Sequence, residues 1–121
     1  MGTWSAGNFD NDGALDYAGG LVSSFAARIE AILSDEVMSR LDEDGERILM
    51  PSAELISVLC ERSGCAPPQP AAIASWQERY LAIFDVQIEG LAGEGYAQER
   101  RAVIVQTFET LHQRAREFWD D

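Results

Sequence analysis

Residues 11–33 read Asn-Asp-Gly-Ala-Leu-Asp-Tyr-Ala-Gly-Gly-Leu-Val-Ser-Ser-Phe-Ala-Ala-Arg-Ile-Glu-Ala-Ile-Leu. Their apolar members, Leu15, Ala18, Leu21, Val22, Phe25, Ile29, Ile32 and Leu33, recur at intervals of three and four. That spacing predicts a long helix with one broad face for a core. Asn11 or Asp12 is a suitable N-cap, because a short side-chain oxygen accepts from a free amide of the first turn. Asp16 stands where the helix dipole favours an acid. Gly19-Gly20 weakens the helix by up to about 1 kcal/mol per residue relative to Ala, and close approach of another helix is the expected reason.

Downstream the same period returns. Ser34 is expected to cap a short helix carrying Val37, Met38 and Leu41, ended by an exposed acidic turn, Asp42-Glu43-Asp44-Gly45-Glu46. The next helix takes in Pro51 to Cys60, with proline in the first turn, where its missing N–H costs nothing. Leu55, Val58, Leu59 and Arg62 share one of its faces. Gly64 stops it, and Ala66-Pro67-Pro68-Gln69-Pro70 forms a stiff linker. A helix from about Ala71 to Glu89 buries Ile73, Trp76, Tyr80, Phe84 and Ile88. Gly90, Gly93 and Gly95 mark a loop. A last helix from about Tyr96 to Trp119 turns Val103, Ile104, Thr107, Phe108, Leu111, Ala115, Phe118 and Trp119 inward. No segment alternates with period two between turn signals. The reading is all-α: four main helices plus one short helix, with sequence neighbours packed antiparallel.

A chain of 121 residues with 46% hydrophobic content is expected to fold as one domain over 1–121, with residues 1–11 as an ordered loop packed on the body. It carries no apolar run of about 18 residues, so no membrane partner is expected. No basic-then-apolar leader opens it, which points to the cytoplasm. The net charge of -12 disfavours nucleic acid, because phosphate binding rests on Lys and Arg. All nine basic residues are arginine. An acidic face suits a basic protein partner, and complementary charge would speed their encounter.

Residues that could carry chemistry are few. Asn8, Asp10, Asp12, Gly13, Leu15 and Asp16 fit the first part of an EF-hand loop, yet Gly19 stands where calcium needs a bidentate Glu. At most weak cation binding is expected, and the acids have a simpler use in capping and turns. His112 is the only imidazole, and nothing local pairs it with Cys60 or Cys65 as a nucleophile and base. The two cysteines are expected to be reduced, small apolar residues at a helix end. No cofactor is implied. Trp4, Phe9 and Trp119 lie near the chain ends. They are expected to clasp the opening loop onto the last helix, with Trp4 buried.

The opening run also resembles the N-terminal signature of the bacterial family called domain of unknown function 4259. The residues that carry the likeness are Trp4, Gly7, Phe9, Asn11, Asp12, Ala14 and Asp16, with Ser5 departing where the family has Gly. Ser52-Ala53-Glu54-Leu55, the Pro70–Trp76 segment and Arg116-Glu117-Phe118-Trp119-Asp120 are similar to later family features in the same order. The resemblance implies a single bacterial cytosolic domain and leaves activity open. Small size, charge and lack of a catalytic group favour a non-catalytic protein-binding domain, of the immunity or antitoxin kind. The alternative is an enzyme or metal-dependent small-molecule binder using Asp10, Asp12 and Asp16. A homodimer through an exposed helix stripe is a third reading.

Overall fold

The computed structural model describes residues 3–120. Helix α1 spans Asp12–Leu33 and is capped by Asn11, whose Oδ1 accepts from the Ala14 amide at 2.8 Å. Helix α2 spans Met50–Ser63, α3 spans Pro70–Gln87 and α4 spans Glu94–Trp119. A single 3-10 turn, Ile88–Gly90, follows α3. The fold is all-α, with four helices as expected.

The packing order differs from the expected one in one respect. Helix α1 packs on α2 and on α3, and α4 also packs on both. The sequence neighbours α1 and α2 are partners, as are α3 and α4. Helices α2 and α3 instead sit either side of the other two, because the extended segment 64–69 carries the chain away from α2 before α3 begins. The core is formed by Ile29 and Ile32 of α1, Ile56 of α2, Ile73, Trp76, Tyr80 and Phe84 of α3, and Ile104, Phe108 and Leu111 of α4. The Tyr80 and Phe108 rings meet tilted, 6.4 Å between centroids.

The face of α2 that Leu55 and Val58 share is about half exposed, and the helix buries Ser52, Ala53, Ile56, Ser57 and Cys60. One expectation about helix faces is corrected: Val103, Phe118 and Trp119 of α4, expected inward, are exposed, although Ile104, Phe108, Leu111 and Ala115 lie inward. At Gly19 and Gly20 an added Cβ would meet nothing within 4 Å, so no neighbouring helix explains the pair.

The largest correction concerns residues 34–49. No helix starts at Ser34. Asp35 instead holds a turn by accepting from the amides of Val37 and Met38, at 2.9 and 3.0 Å. The acidic stretch, expected as an exposed turn, lies within a wide, π-type helical segment, Leu41–Leu49, kinked at Glu43. Leu41, Gly45 and Leu49 are buried in it. The reason lies in Gly45: a Cβ there would sit 2.7 Å from the Ser39 carbonyl oxygen and 2.9 Å from that of Arg40. Only glycine lets the segment fold back on the preceding turn. The Leu41 amide, left over at the start, donates to Gln87 Oε1 of α3 at 3.0 Å.

This fold-back aims Glu46 inward. Its carboxylate accepts from the Tyr80 hydroxyl of α3, and from Arg100 of α4 through Nε at 2.6 Å and Nη2 at 3.1 Å. Three elements thus meet on one carboxylate. Tyr80 is fully buried. Burial first, then the bond to Glu46, pushes its hydroxyl far above the ordinary tyrosine value, while the carboxylate holds Arg100 in its charged form. Exposed arginine forks add ties: Arg79 joins Glu30 of α1 to α3, and Arg101 of α4 joins Asp85 of α3, both at 2.9 Å. Such exposed pairs stabilise by about 0–1 kcal/mol each.

Two measurements test this arrangement. Gly45→Ala forces its methyl against backbone carbonyls and should lower unfolding free energy by about 1–3 kcal/mol in urea titrations. Tyr80→Phe removes a bond to a carboxylate and should cost about 2 kcal/mol at neutral pH. Its pH dependence follows from the raised folded value. Tyr80 contributes fully below the ordinary value of 10.0, where it is protonated in both states. Above it the unfolded chain ionises and the folded one does not. Wild-type stability should therefore fall with rising pH, by about 1.4 kcal/mol per unit for that proton. The gap between wild type and Tyr80→Phe should narrow above pH 10. A gap that stays constant from pH 8 to 11 would contradict the assignment.

Candidate functional site

The opening loop closes on itself. Thr3 bridges antiparallel to Asn11, and the Trp4 amide donates to the Asp10 carbonyl at 3.0 Å. Within this small ring the Asp10 carboxylate accepts from the Ser5 hydroxyl at 2.6 Å and the Gly7 amide at 3.0 Å. A Cβ at Gly7 would lie 2.3 Å from Asp10 Oδ2, which accounts for glycine at that place. Phe9, partly buried, packs against the core. The signature residues thus have distinct roles. Gly7 admits the Asp10 carboxylate, Phe9 docks the loop, and Asn11 caps α1. Asp12 and Asp16 are exposed, and Ala14 supplies the capped amide.

Two of these side chains are engaged locally. Oδ2 of Asp10 is taken up by Ser5 and Gly7, and the Asn11 oxygen by Ala14. Among the described residues no group of three or more His, Cys, Asp or Glu side chains could hold a metal ion. Asn8 is exposed beside them.

The expected clasp is corrected. Trp4 is 56% exposed. Trp119 is partly exposed and its indole Nε1 donates to the Pro67 carbonyl at 2.9 Å, so its partner is the α2–α3 linker and not the opening loop. The Phe118 and Trp119 rings meet edge to face, 5.0 Å apart. Together they wall a groove of about 620 Å³. Its floor comes from α1, with Leu15, Gly19, Val22 and Ala26. The linker, Gly64 to Pro68, lines it too, as does Asp16. Sequence reasoning singles out Trp119 and Asp16 but not this juxtaposition. Its signals are the stiff prolines and the glycine gap at Gly19, and neither reveals which helix end lies opposite.

Other candidates separate. His112 lines a polar cleft with Gln77, Gln106, Glu109 and Gln113. Cys60 and Cys65 line a different, smaller pocket of about 240 Å³. His112 does not line the pocket of the two thiols. The Glu46–Tyr80–Arg100 cluster joins the 41–49 segment to α3 and α4.

Substitution of the two terminal tryptophans separates their roles. Trp4→Ala should leave unfolding free energy within about 0.5 kcal/mol of wild type, as exposed positions do. Trp119→Phe should lose about 1 kcal/mol with the indole–carbonyl bond. Equal effects in thermal denaturation would refute this division.

Comparison with other proteins places the chain by sequence. Neither the curated proteins nor the solved structures contain a match. A family profile matches residues 2–121, the whole of the chain but its first residue. The chain therefore belongs to the family named domain of unknown function 4259.

Proposed function

We propose that this is a non-catalytic, acidic protein-binding domain of the bacterial cytoplasm, in the manner of an immunity protein or antitoxin. The groove between α1, the linker and the end of α4 is its docking surface. The carrying observation is the composition of that groove. Two half-exposed rings, Phe118 and Trp119, face apolar residues of α1, and the one charged group lining it among the described residues is the acid Asp16. Large rings and few charges mark the centres of protein interfaces. An acid beside exposed rings suits a cationic side chain, which gains from both ring face and carboxylate. The surplus of 12 negative charges favours a basic protein over nucleic acid or a second copy of this equally acidic chain.

In this reading the opening motif is structural. Trp4, Gly7, Phe9, Asn11, Asp12, Ala14 and Asp16 order the start of α1, and with it the groove floor. The hydrogen bonds taken up by Asp10 weigh against the alternative of a metal-dependent binder or enzyme.

The test is capture from native cells with the intact domain, then titration with the purified partner. The partner should be basic. Affinity should fall as salt rises, and both Asp16→Arg and Trp119→Ala should weaken it by at least about tenfold, near the 1.4 kcal/mol of a modest interface contact. A partner bound with equal strength by both variants would refute the groove. An acidic or nucleic-acid partner would refute the reading altogether.

A further inference from the structure

The last turn of α2 ends in Cys60-Glu61-Arg62-Ser63-Gly64-Cys65. Gly64 takes the left-handed conformation, φ 79°, and its amide donates back to the Cys60 carbonyl at 2.8 Å. In such a cap the third residue from the helix end and the residue after the glycine meet in side-chain contact. Those two places are held by Cys60 and Cys65. Their sulfurs lie 3.9 Å apart, with the Cys65 thiol donating to Cys60. Ser63 steadies the turn: its hydroxyl donates to the Leu59 carbonyl at 2.6 Å and accepts from the Cys65 amide at 3.1 Å. Two ordinary apolar residues would complete this cap equally well. Two thiols in van der Waals contact add a chemistry that apolar residues lack.

We propose that Cys60 and Cys65 form a reversible, two-electron redox site, oxidised to a disulfide by low-molecular-weight disulfides of the glutathione class. One cysteine sulfur, as thiolate, attacks the small disulfide and releases one small thiolate, leaving a mixed disulfide on the protein. The second cysteine sulfur then displaces the remaining small thiol and closes the Cys60–Cys65 bond. The two protons lost by the cysteines pass to the two released thiolates, giving one protein disulfide and two small thiols. The pocket of about 240 Å³ that both cysteines line, with Pro67, Arg114 and Phe118 around it, is the entry route. Burial and the neighbouring sulfur push the Cys60 thiol up to about 12. Little thiolate then forms at neutral pH, so the site responds slowly, to sustained oxidation, and does not turn over as a catalyst. Oxidation fastens Cys65 of the linker to α2. That linker carries the Pro67 carbonyl that holds Trp119. The proposal stands whether or not the groove beside it binds a protein.

The test uses the full chain with oxidised glutathione in native buffer, followed by alkylation under denaturing conditions and intact-mass measurement. The expected product has lost two hydrogens, takes up no alkylating reagent and is restored by dithiothreitol. Its melting temperature should exceed that of the reduced form. By the same thermodynamic cycle, the disulfide should form about tenfold or more favourably in the folded chain than in urea. Cys65→Ser should yield free thiol or a glutathione adduct only, with no rise in melting temperature. Free thiols in the folded wild type at equilibrium, adducts alone, or crosslinked dimers would overturn the proposal. So would a disulfide formed only in urea.

Discussion

The carboxylate of Glu46 is the point on which the architecture turns. It accepts from α3 through Tyr80 and from α4 through Arg100, and it sits on a segment that must fold back to reach them. Neither α1 nor α2 alone determines where that segment goes. Gly45 allows the fold-back, Leu41 and Leu49 bury its two ends, and Glu46 secures it. A charge placed here needs all its partners, because an unpaired carboxylate beside a buried ring would cost several kcal/mol. The network is therefore specific as well as stabilising: alternative registers of the 41–49 segment would leave Arg100 and Tyr80 without an acceptor.

Much of the helical scaffold was legible in the sequence, since helix periodicity is a local property. The start of α1 at Asn11, the stop at Gly64 and the buried row Ile73, Trp76, Tyr80, Phe84 follow from caps and spacing. What was not legible shares one cause. The π-type segment reads as an acidic turn because Asp42, Glu43 and Asp44 dominate it, and the use of Glu46 depends on residues 34 and 54 positions away. The buried face of α2 was not legible either, because Ser52 and Ser57 are buried where Leu55 and Val58 are not. Close helix packing rewards small size there, and hydrophobicity does not register size.

The candidate site was legible only in fragments. Trp119 and Asp16 stood out as an aromatic near the chain end and an acid in a first turn. Their relation required knowing that the linker crosses between α2 and α3 and leaves a carbonyl for the indole. The cysteines illustrate the reverse case. A glycine stop with one cysteine four residues before it and another directly after is a local pattern, and the cap geometry alone brings such side chains together.

The charge balance gains a physical meaning from the ion pairs. Among the described residues, six of the nine arginines, Arg47, Arg79, Arg100, Arg101, Arg114 and Arg116, are paired with acids. Four of them, at 79, 100, 101 and 114, reach between separate elements. Three of those four are bidentate or forked on one carboxylate, a geometry that guanidinium provides and ammonium does not. The bases are thus engaged largely in holding helices together. The acids outnumber them by more than two to one, so they set the field that an approaching molecule meets. Each paired arginine cancels only its own partner carboxylate, so the excess of 12 acids is what an approaching molecule meets.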